Sequence, residues 1–222
     1  MTLIETPRLI MRPFDLAEAG EAFAWFGDPR VMRYVPTGPD PSIERTRSRL
    51  AGYVAHQAAN GFSKWAVVDR ASGRLIGDAG LLRLDSQGWP GCIDLGFRLV
   101  PGSWGRGLAT EAAHAWANAA FSRFHLATLV ALVHPDNAAS LRVVEKVGFR
   151  QRGRETVLGM PCLLFDRVAG PALDPLIVEA AREVDGTLLD WALGLSPRER
   201  LRACTKATAA LGKFGNATSS SR

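Results

Sequence analysis

The sequence predicts an α/β fold in which helices pack against a mixed β-sheet. Two observations predict this class. Strand-like and helix-like stretches alternate in the second half of the chain, an order that favours some parallel strand pairing. Earlier in the chain, two strand-like stretches are separated by the turn residues Ala71-Ser72-Gly73, which predicts a β-hairpin. We therefore expect one sheet with both parallel and antiparallel neighbours.

The N-terminal half predicts a strand, a helical layer and the hairpin. Asp15 begins a capping box that starts a helix directly after the first strand. Ser42 is a good N-cap for a longer helix, whose apolar residues Ile43, Leu50 and Val54 have helical spacing. The predicted elements are a strand at residues 8–14, helices at 15–26, 30–34 and 42–61, and strands at 65–68 and 75–84.

The C-terminal half predicts strands and helices around a glycine-rich loop. The loop, residues 101–107, is followed by a helix that carries Ala113, Trp116 and Ala120 on one face. Gly148 ends the next helix. The predicted elements are strands at residues 92–100, 128–133, 154–160 and 162–168 and helices at 109–124 and 137–147.

The composition is that of an ordinary globular chain. Of the 222 residues, 47% are hydrophobic and 22% charged, which allows a sizeable core and excludes a collagen-like, coiled-coil or wholly disordered protein. The net charge of +5 arises from 27 basic and 22 acidic residues that are mixed along the chain, so we expect a solvated surface and no nucleic-acid partner. No run of about 18 apolar residues is free of charge, so we expect no membrane span.

The cysteines indicate a reducing compartment. Cys92, Cys162 and Cys204 are odd in number and far apart, and they have neither metal-site nor disulfide-framework spacing. The N-terminus shows no continuous apolar stretch of a signal peptide. We therefore expect a cytoplasmic protein without a bound metal.

The glycine-rich loop is a candidate phosphate-binding segment. Residues 102–111, Gly-Ser-Trp-Gly-Arg-Gly-Leu-Ala-Thr-Glu, follow a strand and open a helix. A helix N-terminus presents unpaired backbone N–H groups and a partial positive charge, and glycines let the backbone approach an anion closely. A tight strand-to-helix turn without a ligand is the alternative that the spacing leaves open.

Three known loop motifs fit this segment only in part. It has Walker A spacing, but Leu108 stands where a P-loop needs its lysine. It begins a dinucleotide fingerprint, but Thr110 stands where the third glycine belongs. Pro101 replaces the first glycine of a nucleophile elbow. A P-loop NTPase and a serine hydrolase are therefore disfavoured, and a dinucleotide-binding protein is a weaker alternative.

Four stretches in order along the chain resemble the GNAT N-acetyltransferases, in the variant of the ribosomal-protein-alanine acetyltransferases. Residues 95–112, which include WGRGLATEA, resemble the acetyl-CoA-binding motif of this family. The other three stretches are residues 6–13 (TPRLIMRP), 77–81 (GDAGL) and 134–149, which contain HPDNAAS and EKVGF. The resemblance implies a GNAT domain at residues 6–169 with a mixed, mostly antiparallel sheet flanked by helices.

The resemblance implies acetyl-CoA as co-substrate. Its pyrophosphate would lie on the backbone N–H groups of the glycine-rich loop. Its pantetheine arm would pair with the preceding strand, which a bulge at Gly96 would splay from its neighbour. The implied cofactor-binding residues are Phe97, Arg98, Leu99, Trp104, Gly105, Arg106, Gly107, Leu108, Ala109, Thr110 and Asn137.

The implied reaction is direct attack of a primary amine on the thioester in a ternary complex, the amine belonging to a peptide or protein N-terminus or to a small molecule. Asp94 matches the carboxylate that serves many relatives as general base. Ser140 is the candidate acid for the leaving thiolate, because Val144 stands where many relatives have tyrosine and both tyrosines lie far upstream. A salt-bridged Asp94, a backbone-bonded Ser140 and a catalytically degenerate acyl-CoA-binding module are the alternatives.

Two further segments complete the prediction. Phe26, Met32, Arg33 and Tyr34 precede a proline-rich loop that borders the acceptor pocket in the family, so we interpret them as candidate pocket lining. Residues 170–214 have amphipathic helical character and predict an appendage that docks on the domain, on a second copy or on a partner. Residues 215–222 are small and polar, as in a disordered tail.

Overall fold

A computed structural model of the chain describes residues 3–85 and 89–169, so the predicted appendage and tail lie outside the described residues. The described elements are β1 (Ile4–Glu5), β2 (Leu9–Arg12), α1 (Ala19–Phe26), α2 (Pro29–Met32), α3 (Ile43–Asn60), β3 (Lys64–Asp69), β4 (Leu75–Arg83), β5 (Ile93–Leu99), α4 (Leu108–Ser122), β6 (Thr128–Val133), α5 (Ala138–Lys146), β7 (Arg150–Val157) and β8 (Met160–Val168). A short 3-10 turn at Leu16–Glu18 precedes α1, and another at Pro101–Ser103 begins the glycine-rich loop.

The strands form one eight-stranded sheet in the order β1-β2-β3-β4-β5-β6-β8-β7. Every pair of neighbours is antiparallel except β5 and β6, which are parallel. The prediction of a mixed, mostly antiparallel sheet flanked by helices is therefore confirmed. The single parallel pair lies at the centre of the sheet, directly before the glycine-rich loop.

The two faces of the sheet bury different apolar clusters. On one face, α4 packs Trp116 against Trp65 and Leu95. The other face carries α1 and α3, whose Trp25 and Leu50 belong to a second cluster. Because side chains alternate along a strand, β3 and β4 contribute residues to both clusters. The helices on opposite faces are thereby fixed to the same central strands.

Of the three apolar residues that have helical spacing in α3, only Leu50 is buried. Ile43 and Val54 are 39% and 40% exposed, whereas Thr46, Leu50 and Tyr53 are the buried residues of this helix. Thr46 can be buried because its hydroxyl donates to the Asp40 carboxylate at 3.0 Å. A satisfied polar residue thus takes a buried position that hydrophobicity alone does not reveal.

Candidate active site

The glycine-rich loop turns into α4 through two glycines with left-handed backbone. Gly105 has a φ of 73° and Gly107 a φ of 75°, a region that side chains disfavour. Gly107 is the N-cap of α4, and no side chain caps the helix. The first helical bond runs from the Glu111 N–H to the Gly107 carbonyl, so the N–H groups of residues 108–110 have no partner within the helix. This is the geometry that the predicted anion site requires.

The N-terminal segment holds this loop from outside. Glu111 Oε1 accepts from the Thr6 hydroxyl at 2.6 Å and from the Arg8 N–H at 2.9 Å. The Arg8 guanidinium donates to Glu111 Oε2 at 2.6 Å and to the Arg106 carbonyl at 2.8 Å. Burial alone would raise the pKa of Glu111, but these hydrogen bonds lower it below its usual value. The Glu111 carboxylate therefore stays ionised, and the paired Arg8 guanidinium offsets its negative charge beside the start of α4.

Trp104 joins the loop to the end of β5. Its Nε1 donates to the Leu99 carbonyl at 2.7 Å, while 49% of the residue is exposed. The hydrogen bond uses one of the backbone groups that the resemblance assigns to pantetheine. The backbone N–H and carbonyl of Phe97 are therefore the better candidates for that pairing.

Strands β5 and β6 separate directly beside the loop. Their only register pair is Asp94 with Val130, although β5 continues to Leu99. The Val100 N–H donates to the Ile76 carbonyl on β4, so by strand alternation the backbone groups of Phe97 and Leu99 face the gap. The gap is the predicted splay between the two strands.

The cause of the splay differs from the expected bulge at Gly96. The register between β4 and β5 runs without a shift from Ile93 to Leu99. β6 pairs with β8 along its whole length, from Thr128 to Val133, whereas a single register pair joins it to β5. The expectation of a bulge at Gly96 was wrong, because β5 keeps its register with β4 through that residue.

Asp94 lies at the point where the two strands part. Its Oδ1 accepts from the Leu132 N–H at 3.4 Å, and its Oδ2 lies 3.6 Å from the Lys64 Nζ. The Asp94 side chain is 20% exposed, whereas that of Lys64 is only 4% exposed. The carboxylate is therefore both reachable from the gap and paired with a buried ammonium. Its role as general base stays a prediction.

Sequence reasoning missed Lys64, which begins an apolar strand and belongs to no motif. Burial lowers the pKa of Lys64 to about 8, and the attraction of Asp94 offsets only part of that effect. Its Nζ also donates to the Gly80 carbonyl at 2.8 Å. The candidate site thus contains a buried cation that no spacing rule in the sequence indicates.

The Arg98 side chain points to the α1 and α3 face. Its guanidinium forms two hydrogen bonds with the Asp78 carboxylate, at 2.9 and 2.6 Å, and a third with the Tyr53 hydroxyl at 2.8 Å. Trp25 Nε1 also donates to Asp78, at 2.9 Å. By the same strand alternation the backbone N–H and carbonyl of Arg98 face β4, so neither its side chain nor its backbone faces the gap. Leu108 can contribute only backbone, because its side chain is buried in the core beneath α4.

The start of α5 brings Asn137 and Ser140 together. Asn137 is the N-cap, and its Oδ1 accepts from the Ser140 N–H at 3.1 Å. The amide N–H donors of Asn137 take no part in this cap. Val144, where many relatives have tyrosine, is 1% exposed and packs into the core. Ser140 as proton donor and Asn137 as a pantetheine contact stay predictions.

Tyr34 lies close to the end of β6 despite its distance in sequence. Its ring stacks on His134 with the centroids 4.9 Å apart and the planes at 29°. His134 directly follows β6, and its Nδ1 accepts from the Asp136 N–H at 3.1 Å. The Arg33 guanidinium lies 5.3 Å from the Tyr34 centroid. A tyrosine that the sequence places far upstream is thus brought to the carboxyl end of β6.

The proline-rich loop after Tyr34 is fixed to α3 by a buried aspartate. Asp40 is 4% exposed, and its carboxylate accepts from Arg49 at 2.6 Å and from the Thr46 hydroxyl. The Asp40 N–H donates to the Phe26 carbonyl at 2.7 Å. Burial alone would raise the pKa of Asp40, but the hydrogen bonds from Arg49 and Thr46 lower it. The predicted acceptor side therefore has an anchored backbone.

Residues 3–85 and 89–169 contain neither a metal-ligand cluster nor a membrane-spanning helix. No group of three or more histidine, cysteine, aspartate or glutamate residues there is placed to hold a metal ion. No helix within the same ranges combines the length and hydropathy needed to cross a membrane.

Comparison with known proteins gives a consistent family. Residues 8–150 match the acetyltransferase (GNAT) domain family. The chain is 31% identical over 152 residues to the uncharacterized N-acetyltransferase YoaA of Bacillus subtilis (strain 168), and this match covers 68% of the chain and 84% of YoaA. The crystal structure of the acetyltransferase from Agrobacterium tumefaciens str. C58 superposes with a TM-score of 0.66 at 26% identity, covering 76% of this chain and 95% of that one.

A more distant structure has the same fold. RimL, a ribosomal L7/L12 α-N-protein acetyltransferase in complex with coenzyme A, superposes with a TM-score of 0.60 at 16% identity, and the match covers 75% of this chain and 98% of RimL. The family match spans more than half of the chain and includes β5, the glycine-rich loop and α4. The chain belongs to the GNAT acetyltransferase family and is an N-acetyltransferase.

Proposed function

We propose that the protein transfers the acetyl group of acetyl-CoA to a primary amine by direct attack in a ternary complex. The observation that carries the proposal is the gap between β5 and β6, which opens at Asp94 and ends beside the uncapped N-terminus of α4. A thioester lying in that gap would be close to a carboxylate and to an anion-binding loop at once. The alternative binding of a dinucleotide would use the loop but not the gap.

The residues present fit the cofactor. The N–H groups of residues 105–110 would hold the pyrophosphate, since the glycines there leave the backbone accessible and α4 has no side-chain cap. Phe97 would pair its backbone with the pantetheine arm, and one N–H of β5 that faces the gap would polarise the thioester carbonyl. Bound acetyl-CoA supplies the activated acyl group.

Asp94 is the proposed base for the acceptor. The acceptor ammonium gives one proton to the Asp94 carboxylate, and the neutral amine then forms the C–N bond as the C–S bond breaks. Ser140 is the proposed donor of the proton that the leaving sulfur takes, and it regains a proton as the newly bonded nitrogen gives up its second one. The carboxylate is suitably placed, because it lies at the mouth of the gap and is partly exposed.

The acceptor is proposed to be a peptide or protein N-terminus or a small-molecule amine, with the ribosomal-protein-alanine type as the subgroup. The four motif stretches support that subgroup. RimL is named an α-N-protein acetyltransferase, whereas AAC(6')-Ib, which superposes with a TM-score of 0.61 at 16% identity, was crystallised with ribostamycin and coenzyme A. At these identities the two proteins share only the fold with this chain, so they define the range of acceptors to be screened.

Calorimetric titration with acetyl-CoA, NAD and ATP tests the cofactor assignment. We expect binding of acetyl-CoA alone. A screen of N-terminal peptides and small amines, with products identified by mass spectrometry, then tests transfer. Binding without transfer to any amine would favour the degenerate acyl-CoA-binding module. Absence of acetyl-CoA binding would refute both this module and the proposed acetyltransferase.

Asp94→Asn separates the base from a merely structural aspartate. We expect the variant to lose kcat by about a hundredfold, as removal of a general base does, while the affinity for acetyl-CoA stays within about twofold. Equal losses of affinity and turnover would return Asp94 to a structural role.

A further inference from the structure

Lys64 occupies one end of a row that crosses three strands on the α1 and α3 face. In the sheet register Lys64 lies opposite Gly80, and Gly80 lies opposite Gly96. The lysine side chain extends over these two glycines and reaches Asp94, which is two residues before Gly96 on β5. The row therefore links the first residue of β3 with the proposed base.

Gly96 provides the space for this reach, since a Cβ there would lie 2.5 Å from the Lys64 Nζ. At Gly80 the backbones of β3 and β4 come close, because a Cβ there would lie 2.1 Å from the Ser63 carbonyl oxygen. Any larger residue at Gly96 would displace the ammonium from Asp94. The ammonium is held at its present place by the Gly80 carbonyl at 2.8 Å and by the Asp94 carboxylate at 3.6 Å.

A buried ammonium is costly for the fold, so its presence calls for an explanation. Desolvation of a charge costs several kcal/mol unless partners compensate, and an apolar residue of similar volume is often as stable or more stable at such a position. The contacts of Lys64 are one carbonyl and one loosely spaced carboxylate. An ammonium that is only partly compensated can give up its proton more readily than a surface lysine.

The other charged groups around Lys64 are already engaged. Arg98 on β5 and Asp78 on β4 bind each other at 2.6 Å. His56 on α3 bonds the Phe62 carbonyl through Nδ1 and accepts from the Arg83 N–H through Nε2, so its ring is in a neutral form. Tyr53, also on α3, is bound to Arg98. Asp94 is thus the group that a change of charge at Lys64 affects most directly.

We propose that Lys64 is a positioning residue for Asp94, and that loss of its proton makes the Asp94 carboxylate a stronger acceptor of the proton from the bound amine. While protonated, Lys64 holds the Asp94 carboxylate at the point where β5 and β6 part and makes it a weaker base. Once Lys64 is neutral, the same carboxylate takes the acceptor proton more readily, and the amine attacks the thioester as before. This inference rests on the proposed function of Asp94.

Burial brings the pH at which Lys64 loses its proton close to the physiological range. Because desolvation lowers the pKa of Lys64 to about 8, the lysine changes charge in a range where most proteins remain folded. We expect kcat to rise about threefold or more between about pH 7 and 9, as the carboxylate becomes more basic. The turnover number is the relevant quantity, because it reports the groups of the bound complex.

The test compares kcat against pH for the wild type, Lys64→Arg and Lys64→Met with one amine acceptor. Lys64→Arg keeps its charge at all these pH values, so its kcat should stay at the low-pH level of the wild type. Lys64→Met carries no charge, so its profile should lack the rise near pH 8. A parallel rise in all three proteins would show that the acceptor amine itself titrates, and would overturn the proposal.

A measurement on the wild type without substrate keeps the proposal testable if either variant fails to fold. The ¹³C carboxyl resonance of Asp94, assigned by its loss in Asp94→Asn, should shift near pH 8 together with the side-chain resonance of Lys64. An Asp94 resonance that does not respond there would overturn the inference. Failure of the proposed function would look different: acetyl transfer would be absent from the wild type at every pH, whatever the two resonances do.

Discussion

Arg8 contacts Glu111 at two points, although 103 residues separate them in the chain. The Arg8 Nε lies 2.6 Å from Glu111 Oε2, and the Arg8 backbone N–H donates to Oε1 at 2.9 Å. The same guanidinium donates to the Arg106 carbonyl at 2.8 Å. The N-terminal segment therefore fixes the shape of the loop before α4, whose N–H groups are the proposed pyrophosphate site.

Arg8→Gln should weaken acetyl-CoA binding without slowing the chemical step. The variant loses charge-assisted bonds to Glu111 and Arg106, and since Arg8 is about half exposed we discount their worth to about 1 kcal/mol. That corresponds to about a fivefold rise in Kd. We expect kcat to change less than about twofold, because the acceptor side is untouched. Calorimetry and steady-state kinetics measure the two quantities.

Arg70→Gln is the matched control for Arg8→Gln. Arg70 contacts the same N-terminal segment, through the Thr6 carbonyl at 3.3 Å and Glu5 at 3.8 Å, but it has no described contact with the loop. Its removal should leave the Kd for acetyl-CoA unchanged. Equal weakening in both variants would mean that the segment acts only through general stability.

Gly107→Ala should impair acetyl-CoA binding more than it impairs folding. Alanine at a φ of 75° is strained by about 1 kcal/mol or more, and here relief of the strain moves the helix start that presents the N–H groups. We expect at least about a tenfold loss of affinity, measured by calorimetry. Gly159→Ala introduces the same strain at a φ of 80° in the open turn between β7 and β8. If that control loses affinity equally, the loop assignment is wrong.

The sequence predicted most elements because their signals are local. The capping box at Asp15 is present, Ser42 caps α3, and Gly61 ends that helix with a φ of 77°. β7 begins at Arg150, earlier than predicted, because the polar residues of this edge strand show no apolar alternation. The glycine-rich loop was also predictable, because its glycines stand between a strand-like and a helix-like stretch.

The missed parts of the site depend on contacts between distant segments. Lys64 on β3 reaches Asp94 on β5 across β4, and Tyr34 stacks on His134 only because the segment after α2 meets the end of β6 in the fold. No spacing rule reports such neighbours. The direction of the Arg98 side chain was missed for the same reason, since its partner Asp78 belongs to another strand.

Asp78→Ala should strongly destabilise the fold. Asp78 is fully buried and accepts two hydrogen bonds from Arg98 and one from Trp25, so its removal leaves a buried guanidinium unpaired. Breaking a buried ion pair on one side typically costs about 3–5 kcal/mol. Denaturant unfolding measures this loss. In Arg30→Ala, an exposed pair with Asp28 is broken instead, and we expect almost no change in stability. Comparable losses in the two variants would contradict the buried network.

Lys64 should make stability rise with pH in an alkaline window. Burial lowers its pKa from 10.5 to about 8 in the folded chain, so between these pH values the unfolded chain holds a proton that the folded chain has released. Raising the pH through this window therefore favours the folded state, by up to about 3 kcal/mol. We expect the unfolding free energy of the wild type to rise by that order relative to Lys64→Met. Lys146 is exposed, so Lys146→Met should show the same dependence of unfolding free energy on pH as the wild type. A constant difference between wild type and Lys64→Met would contradict the buried titration.

Removal of residues 170–222 should leave acetyl-CoA binding and the fold intact. The family match ends at residue 150, and the Agrobacterium tumefaciens acetyltransferase aligns over 95% of its own length with only 76% of this chain. The last described strand, β8, pairs with β6 on one side and β7 on the other, so both of its edges are already occupied. We expect the Kd of the truncated protein for acetyl-CoA to stay within about twofold of the full chain, and its thermal midpoint within a few degrees. A lower kcat with one acceptor class but not another would place the segment at the acceptor side, whereas loss of cooperative unfolding would show that it belongs to the core.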